Sequence, residues 1–360
     1  MDIAPEFRVL ANDQDVTAKM AERLKSLRLT DETGTTSDTT EISLADNDPD
    51  NPVDVPPTGA ELKVFLGYDN AARFMGLYVC DEIELAGYPG EMVIRARAAP
   101  YEDTAAGKQN MQTQKTRSWP KGTTLGAMVN RIAGEHGLKA AISSELSAIK
   151  LPHTDQSHES DMNLLLRMAK RYDAVAKPAG GSLVFVRRGD AQSASGKDLP
   201  RITFTPADGS DYRVILSTRA DAASVVAYYR ESRQASRREV AIGSGEPVIR
   251  LRMAYADRVS AEEAAKAEHR RRSRGTKTLT YTFPGRPEVG AECIAVMSGY
   301  RPGVDGDWLI KRVEHYVGPQ GFKTTIECEL ANSDPEVEQN GADQVTDEEQ
   351  EPEEVSIGAG

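Results

Sequence analysis

From Phe322 to Leu330 the chain alternates without a fault, with Phe322, Thr324, Ile326, Cys328 and Leu330 set against Lys323, Thr325, Glu327 and Glu329. A period of two sends alternate side chains to opposite faces, so the stretch can fold only as a half-buried strand. "GPQG" at 318–321 precedes it as a four-residue turn and sets the register of a hairpin. Val317 then faces Phe322, His315 faces Thr324, Val313 faces Ile326 and Lys311 faces Cys328. Arg312 faces Glu327 on the other side, an opposite-charge pair contributing at most about 1 kcal/mol. The earlier strand is apolar at Trp308 and Ile310, then at Val313 and Val317. A one-residue slip exchanges the faces of a strand, so this change of phase predicts a bulge or strong twist near Lys311.

The same short, turn-bounded runs recur over residues 1–100. Leu24, Leu27 and Leu29 precede a polar loop, Ile42 and Leu44 share a face, and so do Leu62, Val64 and Leu66. "GYPG" at 87–90 reads as a tight turn, and the prolines of "NDPDNPVDVPP" at 47–57 forbid a central strand. Between Lys115 and Gly189 the period becomes helical, with Leu125, Met128, Val129 and Ile132 on one stripe and Leu164, Leu165, Met168 and Tyr172 on another. Thr123 or Thr124 caps the first helix and Gly137 stops it, while Ser160 or Asp161 caps the second. After a polar linker at 190–198 strands return, interrupted by one helix, "SAEEAAKAEHRRRSRG". There Ser260 and Glu263 form a capping box, and Gly275 ends the helix. The fold class expected is α+β and mainly β, with strands in an antiparallel sandwich or barrel. The boundaries read as a first β-barrel domain at 1–105, which strands from 200–240 could complete, and an α/β insertion at 106–195. A second β-barrel domain at 196–332 and an acidic tail at 333–360 follow.

A length of 360 residues, with 39% hydrophobic and 28% charged residues, suits a soluble globular protein of two or three domains. The formal net charge is −12, yet residues 333–360 hold ten acids and no Lys or Arg; without them 46 acids face 44 bases. Such a tail buries too little apolar surface to offset its ordering entropy and is expected to be disordered. It reads as a solubilising tail or as an acidic peptide that docks on a basic surface. Three widely spaced cysteines, Cys80, Cys293 and Cys328, argue for a reducing compartment and against a disulfide framework. The opening "MDIAPEFRVL" has no signal-peptide pattern, and no apolar run approaches membrane-spanning length.

Candidate chemistry is thin. In the hairpin His315 and Cys328 share a face four residues apart, about 13 Å at the strand rise, whereas proton transfer needs about 3 Å. "HTDQSHESD" at 153–161 clusters two His with three acids, but its spacing matches no zinc pattern and it leads into a capped helix. "HRRRSRG" at 269–275 could touch phosphate, yet cations belong at a helix C-terminus and no aromatics interleave, so a solvated helix end or protein interface is expected. No nucleophile elbow, phosphate loop, dinucleotide fingerprint or metalloprotease motif occurs. The expectation is no catalytic residue, no cofactor site and no metal site.

Three stretches carry a family resemblance. "FRVLANDQDVTAKMAERLKSLRLTDETGTTSDTTEISLAD" resembles the N-terminus of the late control gene D family, the baseplate hubs of contractile-tailed phages and phage-like pyocins. "ESDMNLLLRMAKRYDA" resembles its middle motif, and "FPGRPEVGAECIAVMSGYRPGVDGDWLIKRVEHYVGPQGFKTTIECEL" its close. The family is similar to the N-terminal part of type VI secretion VgrG spike proteins. The resemblance implies two tail-tube-like antiparallel β-barrels with a small α/β insertion between them. It implies a homotrimeric ring that adapts a trimeric spike to a sixfold tail tube, with baseplate wedge and tape-measure proteins as further neighbours. It implies a place in the virion tail baseplate, assembly in the host cytoplasm, no membrane partner and no sequence-specific nucleic acid. Two other classes are weighed beside it: a cell-wall-degrading hub enzyme, which needs an acid pair, zinc or Cys-His site, and a DNA-binding late-gene regulator, against which a near-neutral body and an acidic tail speak.

Overall fold

The computed structural model describes residues 4–33, 38–48, 50–69, 71–98, 111–179, 181–189, 200–209, 211–217, 223–230 and 237–331. The acidic tail, and the linker at 190–198, lie outside the described residues. The chain is mainly β, built on large antiparallel sheets. It forms two compact units, one spanning 1–221 and 270–334, the other with its described residues inside 222–269.

The larger unit begins with β1 (Pro5–Ala11), β2 (Gln14–Asp15), α1 (Thr17–Ala21), β3 (Leu24–Glu32) and β4 (Thr39–Ala45). It continues with β5 (Glu61–Tyr68), β6 (Arg73–Ala86) and β7 (Glu91–Ala98). These strands run β3-β4-β7-β6-β5-β1-β2, every pair antiparallel. The alternating positions become one core: Leu27, Leu29, Ile42, Leu44, Leu62, Val64 and Leu66 are buried with Met92 and Ile94.

The insertion holds β8 (Gln114–Trp119), α2 (Leu125–Glu135), β9 (Lys139–Ile142), α3 (Ser144–Ser147), β10 (Thr154–Ser160), α4 (Asp161–Tyr172), β11 (Ala174–Ala179) and β12 (Ser182–Arg187). Thr124 and Ser160 are the caps, accepting from Ala127 N–H at 3.1 Å and Asn163 N–H at 3.2 Å. Both apolar stripes meet in a core of their own. Two small sheets flank it, β8 with β10 and β11-β12-β9.

Next come β13 (Arg201–Phe204) and β14 (Asp211–Leu216), then the smaller unit's β15 (Ser224–Arg230), β16 (Arg237–Gly243) and β17 (Val248–Tyr255). Helix α5 (Arg258–Arg274) leads to β18 (Lys277–Pro284), β19 (Ile294–Met297), β20 (Gly306–Gly318) and β21 (Gly321–Leu330). Strands β13, β14 and β18–β21 enclose another core, with Phe204, Leu279, Tyr281, Trp308, Ile310, Val313 and Ile326. Residues 222–269, inside the stretch read as the second β-rich part, instead form a three-stranded sheet of their own, β16-β15-β17. The α5 cap also differs from expectation: Asp257 accepts from Ser260 N–H at 2.8 Å, so the helix starts at Arg258 and Ser260 lies in its first turn.

The hairpin register is as derived at four pairs, Val317–Phe322, His315–Thr324, Val313–Ile326 and Arg312–Glu327. One pair is corrected: Ile310, not Lys311, faces Cys328, and Lys311 is the extra residue of a bulge. The bulge lets Ile310 and Val313 point into the same core despite their odd spacing. It also turns the Lys311 carbonyl to accept the Thr33 N–H at 2.9 Å. Strand β20 then pairs with β3 from Arg312 to Val317, so one strand joins both β-rich parts into a 13-stranded sheet.

At Gly285, just beyond β18, a Cβ would stand 2.1 Å from Phe322 Cγ, an atom too near the backbone to swing away. Gly285→Ala is expected to lower stability by about 1–3 kcal/mol through overpacking, read as a drop in midpoint on chemical denaturation.

Candidate functional site: a buried joint and exposed edges

His315 and Cys328 fall at separate places in the hairpin, opposite Thr324 and Ile310. His315 is buried, with Nδ1 at 2.9 Å from Thr324 Oγ1 and Nε2 at 3.2 Å from the Val289 carbonyl. Burial takes its pKa down to about 4, so the ring is neutral near pH 7. Cys328 is buried opposite Ile310, and burial pushes its thiol well above the ordinary range. Cys80, Cys293 and Cys328 are all unpaired and buried.

The acid–histidine cluster disperses. His153 pairs with Asp155 in the open, and His158 occupies the bulged stretch of β10 with φ of 47°. Asp161 is fully buried and bound by Lys115 and Arg117, each at 2.6 Å, with His136 Nε2 at 2.8 Å and Gln156 Nε2 also at 2.8 Å. Burial alone would raise its carboxyl, but the hydrogen bonds from Lys115, Gln156 and His136 and the charge of Arg117 take it down to about 2. This network staples β8 and β10 to α2 and α4. Among the described residues no group of three or more His, Cys, Asp or Glu is placed to hold a metal ion.

For Arg274, in the basic run at the end of α5, internal ion pairs replace the expected solvated helix end or protein interface. Arg274 is 2% exposed, held by Asp173 at 2.6 Å and Glu329 at 3.0 Å. Arg188 lies 3.2 Å from both Glu329 and Thr33 Oγ1. Lys177 lies 3.5 Å from Asp31 and 3.9 Å from Asp38. Asp173, Lys177 and Arg188 belong to the insertion, and Asp31, Asp38 and Glu329 to the flanking strands. These ion pairs fasten the insertion to both β-rich parts. Sequence pattern missed them because a cation in a last helical turn already has a local explanation.

A cavity of about 240 Å³ opens at this joint, lined by Asp31, Asp38, Lys177, Tyr78 and His315 among others. Burial raises the Asp38 carboxyl to about 6, against the pull of Lys177 and with the push of Asp31. Burial likewise raises Glu292 to about 7, although Arg188 and Lys177 oppose it.

Exposed apolar side chains gather at sheet margins. Strand β14 ends the sheet order, with Ile215 47% and Leu216 64% exposed. At the β6–β7 turn Tyr88 is fully exposed and Leu85 is 59% exposed. Such margins are templates for further strands or neighbouring subunits. No described helix is long and apolar enough to cross a membrane.

The comparisons with known proteins agree with a tail component. The family model for the phage tail baseplate hub (GPD) matches residues 39–321. The probable baseplate hub protein of Escherichia phage P2 is 30% identical over 379 residues, 93% of this chain and 96% of that protein. That of Escherichia phage 186 is 30% identical over 378 residues, covering 93% and 95%. Among solved structures, the 43 kDa tail protein of prophage MuSo2 from Shewanella oneidensis superposes with a TM-score of 0.66 at 12% identity, over 90% of this chain and 98% of that one. The tail protein from Neisseria meningitidis MC58 gives 0.63 at 10% identity, over 91% and 97%. The E. coli c3393 protein, a type VI secretion component described as similar to the T4 tail proteins gp27 and gp5, gives 0.51 at 10% identity, over 87% and 74%.

Two outcomes are expected. Arg274→Met should cost about 3–5 kcal/mol in urea unfolding, because Asp173 is left buried with its closest charge partner removed. Glu292 binds its proton more tightly folded than unfolded, so its contribution is fully present below about pH 4 and lost as pH rises through about 7. Glu292→Gln should therefore stabilise the protein by about 1–3 kcal/mol at pH 8 and by almost nothing at pH 4, measured by thermal melts at both.

Proposed function

The chain belongs to the phage tail baseplate hub (GPD) family, and from that premise we propose that three copies close into a ring that seats a trimeric spike on a sixfold tail tube. In this reading each β-rich part curls into a tail-tube-like barrel, so three chains offer six barrels to the tube. The α/β insertion at 106–195 lies between them in sequence. The ring forms in the host cytoplasm before it enters the virion tail, where buried free thiols are stable.

The observation that carries the reading is end-to-end similarity: the P2 and 186 hub proteins match over 93% of this chain and at least 95% of their own. The joint supports it physically. A ring subunit must hold its parts in one orientation, and Lys177, Arg188 and Arg274 tie insertion to sheet. The exposed margins at β14 and at the β6–β7 turn give neighbours something to cover. The burial of His315 and Cys328, and the absorption of Asp161 into ion pairs, favour a structural role over a catalytic one.

Sedimentation of the purified protein with its spike partner tests the proposal. A three-copy species is expected, with a ring visible by electron microscopy; a stable monomer in the presence of the spike would remove the trimeric ring.

A further inference from the structure

The smaller unit shows two unlike sheet faces. One packs on α5: Val225, Ala227, Tyr229 and Ile242 are buried with Ala261 and Ala265. Alternation sends Tyr228, Arg230, Arg237, Glu239, Arg250 and Arg252 to the other face. The register sets Arg230 directly opposite Arg237 and Tyr228 opposite Glu239. On the far side of β15, Val226 stands beside Arg250. Arg230, Arg237, Arg250 and Arg252 are all exposed.

Among the described residues this face holds four guanidinium groups and one carboxylate. Glu239 lies 3.6 Å from Arg250, which also donates to Tyr228 Oη at 3.2 Å. Arg230 and Arg252 make no ion pair among the described residues. Like charges directly opposite across a strand pair are unfavourable. The Arg230–Arg237 pairing therefore calls for an anion. Val248 and Met253, 39% and 74% exposed, add an apolar margin.

We propose that this face docks the chain's own acidic C-terminal segment, residues 333–360. The charges complement each other, ten acids without a base against, among the described residues, four arginines with one acid. Val345 lies before the densest acid run, and Val355 and Ile357 lie after it, suited to the apolar margin. The segment is long, its 28 residues extending to about 90 Å. Tethering supplies an effective concentration near the millimolar range, so even weak pairing is populated. A single-stranded nucleic acid fits less well. Base stacking needs an open aromatic face, and the Tyr228 ring is covered by the Arg237 guanidinium 3.5 Å from its centroid.

Glutamate-specific proteolysis of the full chain tests the proposal at Glu348, Glu349, Glu353 and Glu354, with a free peptide of residues 333–360 correcting for the protease's own salt response. Cleavage is expected to be about five-fold slower at ~50 mM than at ~500 mM NaCl, because screening releases the segment. The slowing should not depend on protein concentration. The variant carrying Arg230→Gln, Arg237→Gln, Arg250→Gln and Arg252→Gln should be cut at the fast rate at both salts. Equal rates in the unsubstituted chain at both salts overturn the proposal, whether or not the variant folds. Slowing that appears only at high protein concentration would assign the segment to another copy and overturn the intrachain docking. A fluorescent single-stranded oligonucleotide bound at the low salt, while cleavage stays unprotected, would make the face a nucleic-acid platform and also overturn it.

Discussion

Strand β20 is asked to satisfy two cores at once. Trp308, Ile310 and Val313 fill one, while Val317 reaches the other together with Phe322 across the hairpin. A regular strand cannot aim Ile310 and Val313 the same way, because their separation is odd. The extra residue at Lys311 resolves the conflict and hands its carbonyl to Thr33. The pairing with β3 follows from there, and with it the continuity of the whole sheet. A hub whose two β-rich parts must keep one mutual register has good reason to build them around a shared strand rather than a linker.

Much of this was legible locally. Alternation and a four-residue turn set the hairpin pairs, and the phase change announced the bulge before any partner strand was known. Helix caps were legible to within one residue, as Thr123 or Thr124 and as Ser160 or Asp161, and Thr124 and Ser160 hold them. At α5 the same logic set the cap at Ser260 through a Ser260–Glu263 box, whereas Asp257, an equally good capping residue three positions earlier, holds it. The smaller unit was harder. Its strands look like any other β run, and the parallel pairing of β15 with β17 is a long-range choice that short-range pattern does not encode.

The joint shows a different limit. Arg274 is accounted for locally by the helix dipole, yet its side chain is buried between Asp173, 101 residues away, and Glu329, 55 residues away. Charge identity survives in the sequence, while partnership does not. The same holds for Asp161, which looked like a fragment of a metal cluster and proved to be the centre of a structural staple. The four groups that bind it, Lys115, Arg117, His136 and Gln156, take up both carboxylate oxygens and leave no lone pair for a cation.

These two sets of buried charges differ in a way that bears on what the insertion does. Asp161 is over-supplied with donors, and its carboxyl sits near the bottom of the range at about 2. Asp38 and Glu292 are under-supplied, and theirs rise to about 6 and 7. The insertion's interior is therefore electrostatically settled, whereas its attachment to the β-rich parts retains a cost near neutral pH. Desolvation makes such a joint specific in geometry and modest in net strength.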